Sequence, residues 1–260
     1  MRAFLTPAIA IIAAVVCGSG SHADVKIVPY PEVKVILSKS YKPDAAFEKM
    51  HAAFAGAVAK KDASGLFALV GPTFVWTLNG AMVDNFDLGR DAVHNFKIVF
   101  GFRQYGKDTD GGVEDGPFWD ALASFATDAA YYQATDSGNL ICGPMAMEIA
   151  DDEIFEQTRK KIETGESGAD WYFTISDVAV AKAPGDSGPP VGKLGTVAVP
   201  VLAQSPQTPN AQPTYVQILM PSGKPGWIPI SAVRPLNNNR LCYAKTASGE
   251  WRIVAFDESE

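Results

Sequence analysis

VAVAKAPGDSGPPVGKL, residues 178–194, places two short apolar segments on either side of a stretch rich in proline and glycine. This stretch decides the fold, because apolar runs this short between turn residues favour β-strands over helices. The same pattern of short apolar runs separated by turn residues continues over six more runs: 171–175, 196–203, 214–219, 226–230, 241–245 and 251–256. Ser248-Gly249 predicts a turn that makes the last two runs a hairpin. The closing part of the chain therefore predicts a small antiparallel barrel or sandwich.

The preceding part of the chain has helical spacing instead. Asp44 follows Pro43 as a favourable N-cap, and apolar residues then recur at a helical period: Phe47, Met50, Phe54, Ala57 and Val58. Similar patterns predict helices at 64–69, 90–100, from Pro117 onward, and at 150–162. Short strands are expected between them, at 74–77, 81–83, 131–133 and 139–142.

The strand-rich region resembles bacterial SH3 (SH3b) domains. Those domains typically open with a strand, a proline-containing turn, a small-residue loop and a Pro-Val-Ile/Val-Gly-x-Leu return, as in residues 178–194. Gly226-Trp227-Ile228 is similar to the Gly-Trp/Tyr-Val signature near their end. The segment 181–184, Ala-Lys-Ala-Pro, departs from their usual Asn-Val-Arg-Ser-Gly-Pro-like run. The resemblance implies an SH3-like β-barrel and, as ligand class, a cell-wall peptide or glycan or another envelope protein.

The predicted fold class is α+β, with an α-rich N-terminal domain followed by a small antiparallel SH3-like β-barrel. The expected divisions are a signal peptide at 1–23, an extended leader at 24–43, the α-rich domain at 44–167, and the SH3b-like barrel with its C-terminal hairpin at 168–260. Within the leader, residues 33–37 form either a short strand or part of an extended segment lying on the domain.

An NTF2-like cone is the alternative for the N-terminal half. The helix–helix–strand order from Phe54 to Trp76 is similar to the opening of that fold. The long curved sheet that it needs is missing before the SH3b-like region. This alternative predicts a small-ligand cavity lined by Trp76 and Phe96.

The N-terminus has the pattern of a secretory signal. Arg2 precedes an uncharged apolar run at 8–16, and Ser21-His22-Ala23 places small residues at the −3 and −1 positions of a cleavage site. The run is shorter than the roughly 20 residues of a membrane span. We therefore expect export to the periplasm or the medium, with cleavage after Ala23 and no transmembrane anchor in the mature chain.

Charge excludes one class of partner. Loss of Arg2 from the 22 basic residues leaves 29 acidic residues facing 21 basic ones, a formal net charge of −8. Because an acidic chain without basic runs repels phosphate backbones, nucleic acid is not an expected partner.

Two cysteines, Cys142 and Cys242, remain after the signal is removed. An even number in an oxidising compartment favours a disulfide, which would tie the two halves of the chain together. Two separately buried thiols are the other interpretation.

Catalytic patterns are weak. The mature chain has two histidines, His51 on an apolar helical face and His94 at the edge of another, and neither belongs to a zinc-binding spacing. An envelope hydrolase, for example one pairing Cys142 with a histidine, remains an alternative. The acidic loop at 108–115 does not follow the EF-hand pattern. We assign no catalytic residue, metal or cofactor.

Aromatic residues of the strand-rich region are the binding candidates. Tyr172, Tyr215 and Trp227 are expected on or near the barrel wall. If they line a groove, they would bind an extended peptide or glycan by apolar contact. The other interpretation is that Trp227 is a core residue, because aromatic side chains dominate small cores. The sequence therefore favours a non-enzymatic exported binding or scaffolding protein.

Overall fold

The computed structural model describes residues 25–78, 81–83, 89–102, 116–135, 138–164, 170–205 and 213–259. Within them the protein is a mixed α+β structure with five helices and largely antiparallel sheets. The predicted signal peptide, its cleavage site and the acidic loop at 108–115 lie outside the described residues. The described helices include none that is long and apolar enough to span a bilayer.

Four of the five helices begin at an aspartate whose side chain accepts a backbone N–H of the first turn, at Asp44, Asp62, Asp91 and Asp151. Such caps satisfy amide groups that have no partner inside the helix. The helices are α1 (Ala45–Lys60), α2 (Ala63–Phe67), α3 (Ala92–Val99), α4 (Gly116–Thr127) and α5 (Asp152–Ile162).

Fifteen strands lie in the described part of the chain. The first seven are β1 (Val33–Leu37), β2 (Val70–Leu78), β3 (Ala81–Met82), β4 (Tyr132–Gln133), β5 (Leu140–Gly143), β6 (Met147–Ile149) and β7 (Trp171–Thr174). The others are β8 (Val178–Val180), β9 (Gly192–Leu194), β10 (Val197–Ser205), β11 (Tyr215–Leu219), β12 (Pro225–Pro229), β13 (Val233–Pro235), β14 (Arg240–Lys245) and β15 (Trp251–Glu258).

The C-terminal hairpin belongs to a different sheet from the one that the sequence suggested. β14 pairs with β5, and β15 runs parallel to β2, in a six-stranded sheet of order β3-β2-β15-β14-β5-β4. Its inward-facing residues, such as Tyr243 and Ile253, are fully buried against α1, α3 and α4 rather than against the strands that precede them in the chain. Residues 45–143 and 240–258 thus form one unit, here called the enclosing unit.

Residues 144–239 form a second unit between β5 and β14, here called the inserted unit. It begins earlier than the expected boundary at 168, because β6 and α5 pack with it: β6 pairs with β1, and Phe155 and Ile162 pack in the same core cluster as Trp171. Its main sheet has the order β12-β11-β10-β1-β6, and β7 joins β10 to β13. Among the described residues its hydrogen bonds do not close a barrel.

The predicted leader is an integral part of this sheet. β1 lies between β10 and β6, with Val33 opposite Ala198 and Val35 opposite Ile149. Just before it, the Tyr30 hydroxyl donates to the carbonyl of Leu219 at 2.5 Å. The strand interpretation of 33–37 is therefore confirmed, and the N-terminal segment fastens onto the inserted unit.

The predicted disulfide is confirmed. Cys142 and Cys242 lie directly opposite each other on β5 and β14, with an S–S distance of 1.97 Å and a Cα–Cα distance of 4.0 Å. Both residues are buried on the face of the six-stranded sheet that is opposite to the helices. The bond thus fastens the two chain segments from which the inserted unit leaves and to which it returns.

Candidate binding groove

Strand register brings two of the predicted aromatic residues to one face. On β11 and β12, Tyr215 lies opposite Pro229, and Gln217 opposite Trp227. Because side chains alternate along a strand, Tyr215, Trp227 and Pro229 point to the same side. The intervening residues Val216 and Ile228 are fully buried in the core of the inserted unit. This face is therefore an outer surface floored by two aromatic rings and a proline.

The loop between β8 and β9 forms the second wall. At its start, Ala181 and Trp227 exchange two backbone hydrogen bonds of 2.8 Å. At its end, the amide of Val191 donates to the carbonyl of Val180. Between them Gly185 has a φ of 70°, a left-handed conformation that suits glycine. The loop is thus held at both ends and stands beside the aromatic face.

The resulting groove has a volume of about 260 Å³. Its lining combines apolar and aromatic side chains with one carboxylate, chiefly Ala179, Asp186, Pro190, Tyr215, Trp227 and Pro229. Both aromatic side chains are half-buried, so each ring has one part fixed by the fold and another facing the groove. Such a site can hold an extended chain by apolar contact and by hydrogen bonds to the tyrosine hydroxyl and the indole N–H.

Gly226 explains why the aromatic signature begins with glycine. A Cβ at this position would lie 2.2 Å from Cγ1 of Val180 and 3.4 Å from Cγ2 of Val191. The backbone of β12 can therefore approach β8 only if residue 226 has no side chain. This close approach sets the pair of hydrogen bonds between Ala181 and Trp227, and with them the width of the groove.

The charge of the groove is negative. Asp186 is its only charged lining residue among those described. One carboxylate oxygen, Oδ1, accepts the amide of Gly188 at 2.8 Å, which fixes the side chain against its own loop. Asp177, a nearby acid in sequence, instead pairs with Lys193 at 2.7 Å.

Tyr172 is not brought to this groove. It lies on β7, half-buried against the core of the inserted unit, and its hydroxyl accepts a hydrogen bond of 3.3 Å from Nε2 of Gln204. Burial raises the pKa of Tyr172 above its ordinary value. Sequence reasoning also missed Pro190, Pro229 and Asp186 as lining residues. Their only sequence signal was the proline and glycine content of the loop and of the end of β12.

Two of the residues considered for catalysis, His51 and Cys142, have structural partners outside the groove. His51 packs against Phe47, Phe54, Tyr131 and Tyr243, with Nε2 at 3.4 Å from the carbonyl oxygen of Phe125. Burial lowers its pKa. Cys142 is in the disulfide and offers no thiolate, so a hydrolase built on that cysteine is excluded. Within the described ranges, no three side chains of the metal-ligating types gather into a site.

A larger hollow, of about 490 Å³, lies on α5 in the inserted unit. Its lining is polar and carries both signs of charge, from Glu156, Arg159, Lys160 and Glu163. Arg159 is paired with Glu156 at 2.8 Å, and Glu163 with Lys26 at 3.5 Å. Because Arg159 and Glu163 already have charged partners, and no aromatic ring is among the described residues that line the hollow, we take the smaller aromatic groove as the candidate site.

Comparisons of the chain with protein-family models, with curated proteins and with solved structures give no match.

Proposed function

We propose that this is a non-enzymatic exported protein that binds an extended peptide in the groove between the β8–β9 loop and the β11–β12 face. The observation that carries the proposal is the convergence of Tyr215 and Trp227 with Pro190 and Pro229 on one groove. Aromatic and proline-lined grooves bind extended, proline-like backbones because flat apolar surfaces match a chain that is already ordered. A cell-wall peptide is the source favoured by the SH3b resemblance; an envelope protein is the other.

The dimensions of the groove support a chain segment as its ligand. A volume of about 260 Å³ falls below the roughly 300–1,000 Å³ that is common for pockets holding drug-sized molecules or cofactors. The groove is open and backed by the paired strands β11 and β12, so it suits one or two side chains of a longer ligand whose ends continue into solvent.

The local architecture supports an SH3-like resemblance without a closed ring of strands. β8 and β9 flank a loop that packs beside the aromatic residue of a Gly-Trp segment, and the mutual hydrogen bonds of Ala181 and Trp227 join β8 to the main sheet. The buried disulfide accords with folding in an oxidising compartment, as the signal pattern implies.

We infer that the enclosing unit is an NTF2-like cone that serves as a scaffold. Its helix–helix–strand opening leads into a six-stranded sheet, and the pairings of β15 with β14 and β2 contain register shifts of the kind that bend strands. Phe96, expected on this alternative to line a ligand cavity, is fully buried and in ring contact with Phe74 and Phe118. Its surroundings are thus filled by aromatic side chains, which favours a structural role over small-ligand binding.

The test is retention of the purified protein on isolated peptidoglycan. Trp227→Ala removes the largest ring of the groove, and Ala179→Trp fills the groove from an exposed position on β8 without removing any core contact. We expect wild type to remain bound to the peptidoglycan and both variants to be removed by washing. Tyr172→Phe is the matched control, because Tyr172 lies on the same unit but outside the groove, and we expect it to bind like wild type.

Equal, negligible retention of wild type and both groove variants would end the wall-peptide proposal. If Trp227→Ala and Ala179→Trp are both retained as well as wild type is, binding occurs away from the groove. Circular dichroism of each variant separates loss of binding from loss of folding.

A further inference from the structure

We propose that the ligand of the groove carries a cationic group, an amine or a guanidinium, that pairs with the carboxylate of Asp186. This inference rests on the proposed function and adds the charge of the ligand to it. The occupant is thus an extended peptide with at least one basic side chain or free amino group, held at one point by charge and elsewhere by apolar contact.

The first support is the state of Asp186 compared with that of Asp177. Both acids are exposed on the same part of the inserted unit, but Asp177 already has Lys193 as its partner at 2.7 Å. Asp186 has only the amide of Gly188 on Oδ1, and within the described residues no cation pairs with it. Its Oδ2 is therefore an acceptor held in the groove wall and open to a ligand.

The second support is what surrounds that carboxylate. The groove contains the rings of Tyr215 and Trp227, whose faces attract cations within about 6 Å of the ring centre. The described lining contains no lysine or arginine that would compete for the same groups. An anionic ligand would face the carboxylate without compensation, whereas a cationic one meets both favourable elements.

The net charge of the chain acts in the same direction. With a formal charge of −7 over the full sequence, the field of the protein raises the local concentration of cationic ligands and slows the approach of anionic ones. Added salt screens this attraction, so the charge-dependent part of binding falls as ionic strength rises.

The experiment removes the positive charge from the ligand and, separately, the negative charge from residue 186. Isolated peptidoglycan is treated with acetic anhydride, which converts its free amines to neutral amides, and retention is compared with untreated material. Three chains are used: wild type, Asp186→Asn, and the matched control Asp177→Asn, whose acid is already paired. A fluorescent proline-rich peptide with one lysine, and its norleucine and glutamate counterparts, provide a second probe.

We expect acetylation to weaken retention of wild type and of Asp177→Asn by about twofold to fivefold, the range for a solvent-exposed ion pair. On untreated peptidoglycan, retention of Asp186→Asn should be weaker than that of wild type by the same factor. Acetylation should not change the retention of this variant. With the peptides, wild type should prefer lysine over norleucine and norleucine over glutamate, and Asp186→Asn should lose this order.

Two failures are distinguishable. If acetylation and Asp186→Asn leave retention unchanged while Trp227→Ala abolishes it, the groove binds peptide but the cationic ligand is wrong. If wild type is not retained on peptidoglycan and binds none of the three peptides, the proposed function and this inference both fail.

Discussion

Nε of Arg234 lies 2.6 Å from Oδ2 of Asp128, and this ion pair joins the inserted unit to the enclosing unit. Arg234 is on β13, and Asp128 follows the last residue of α4. The side chains are only 16% and 15% exposed. The Nε–H is not aligned with the carboxylate as a hydrogen bond requires, so the contact is mainly Coulombic, while Nη1 donates to the carbonyl of Val233 at 2.7 Å.

Removing one partner of this pair should loosen the contact between the units. We expect Arg234→Gln to lower the free energy of unfolding by about 1–3 kcal/mol, because Asp128 keeps a largely buried charge without its counterion. Asp128→Asn should cost a similar amount, and the double variant should cost less than the sum of the two. Urea unfolding of the four proteins measures this coupling. Strict additivity would show that the two side chains do not stabilise each other.

Replacing both cysteines should destabilise the protein without changing its sheet order. The disulfide closes a loop with a sequence separation of 100, and in the chain-entropy model a closure of that length contributes about 4–5 kcal/mol. For Cys142→Ala with Cys242→Ala we expect a loss of about 2–5 kcal/mol in the free energy of unfolding, because the β5–β14 ladder persists without the bond. A thiol titration of the denatured, unreduced wild type should detect no free thiol; two thiols would contradict the bond.

Adding one methyl group at two glycines should have opposite effects. A Cβ at Gly226 would meet Val180 at 2.2 Å, whereas a Cβ at Gly56, inside α1, meets nothing within 4 Å. We expect Gly226→Ala to destabilise by about 1–3 kcal/mol through overpacking. Gly56→Ala should stabilise by about 0.5–1 kcal/mol, because alanine loses less conformational freedom in a helix. Thermal unfolding distinguishes the two; an unchanged melting temperature for Gly226→Ala would refute the close approach of β8 and β12.

Acid should weaken the enclosing unit through His51. Burial lowers the pKa of this imidazole below its ordinary 6.5, although the nearby carbonyl of Phe125 and the charge of Asp128 act in the other direction. The unfolded chain therefore binds a proton at a higher pH than the folded one does. Stability is complete above the ordinary pKa and declines as pH falls from there toward the folded pKa.

We therefore expect unfolding free energy to fall more for wild type than for His51→Gln between about pH 7.5 and about pH 5.5. Urea unfolding at several pH values measures the two slopes, and the difference between them isolates this residue from other titrating groups. Parallel slopes would mean that the imidazole titrates alike in both states.

Local structure could be read from the sequence because its causes are local. Asp44 caps α1 by accepting the amide of Phe47 at 2.7 Å, and the stripe that includes Phe54 is buried as its spacing predicted. The turn at Gly249, with a φ of 82°, makes β14 and β15 a hairpin as expected. Each of these features depends on residues within a few positions of one another.

The pairing of distant segments could not be read in the same way. An apolar run such as β15 predicts that one face of the strand is buried, but it does not identify the strand or helix that covers that face. The parallel pairing of Phe256 with Trp76 joins β15 to β2, which lies before the inserted unit in the sequence, and no local pattern encodes it. For the same reason no six-stranded sheet could be recognised in the N-terminal half of the sequence: two of its six strands, β14 and β15, follow the inserted unit.

The candidate site was predictable only in part. Tyr215 and Trp227 were identified by residue type, and their meeting depends on the register of β11 and β12. Tyr172 has the same chemistry, but β7 directs it toward Gln204. Asp186 gave no signal in the sequence, because the sequence does not show which surface acids meet a lysine in the fold, as Asp177 meets Lys193.

The position of β1 between β10 and β6 constrains the order of folding. Among the described strands β1 is synthesised first, yet Ala198, the partner of Val33, is made only after β2 to β9. Such long-range pairing is slow to form and leaves an edge uncovered meanwhile. The chain must therefore keep its earliest strand from pairing wrongly until β10 is available, and the helices of the enclosing unit, built from near neighbours, can assemble during that interval.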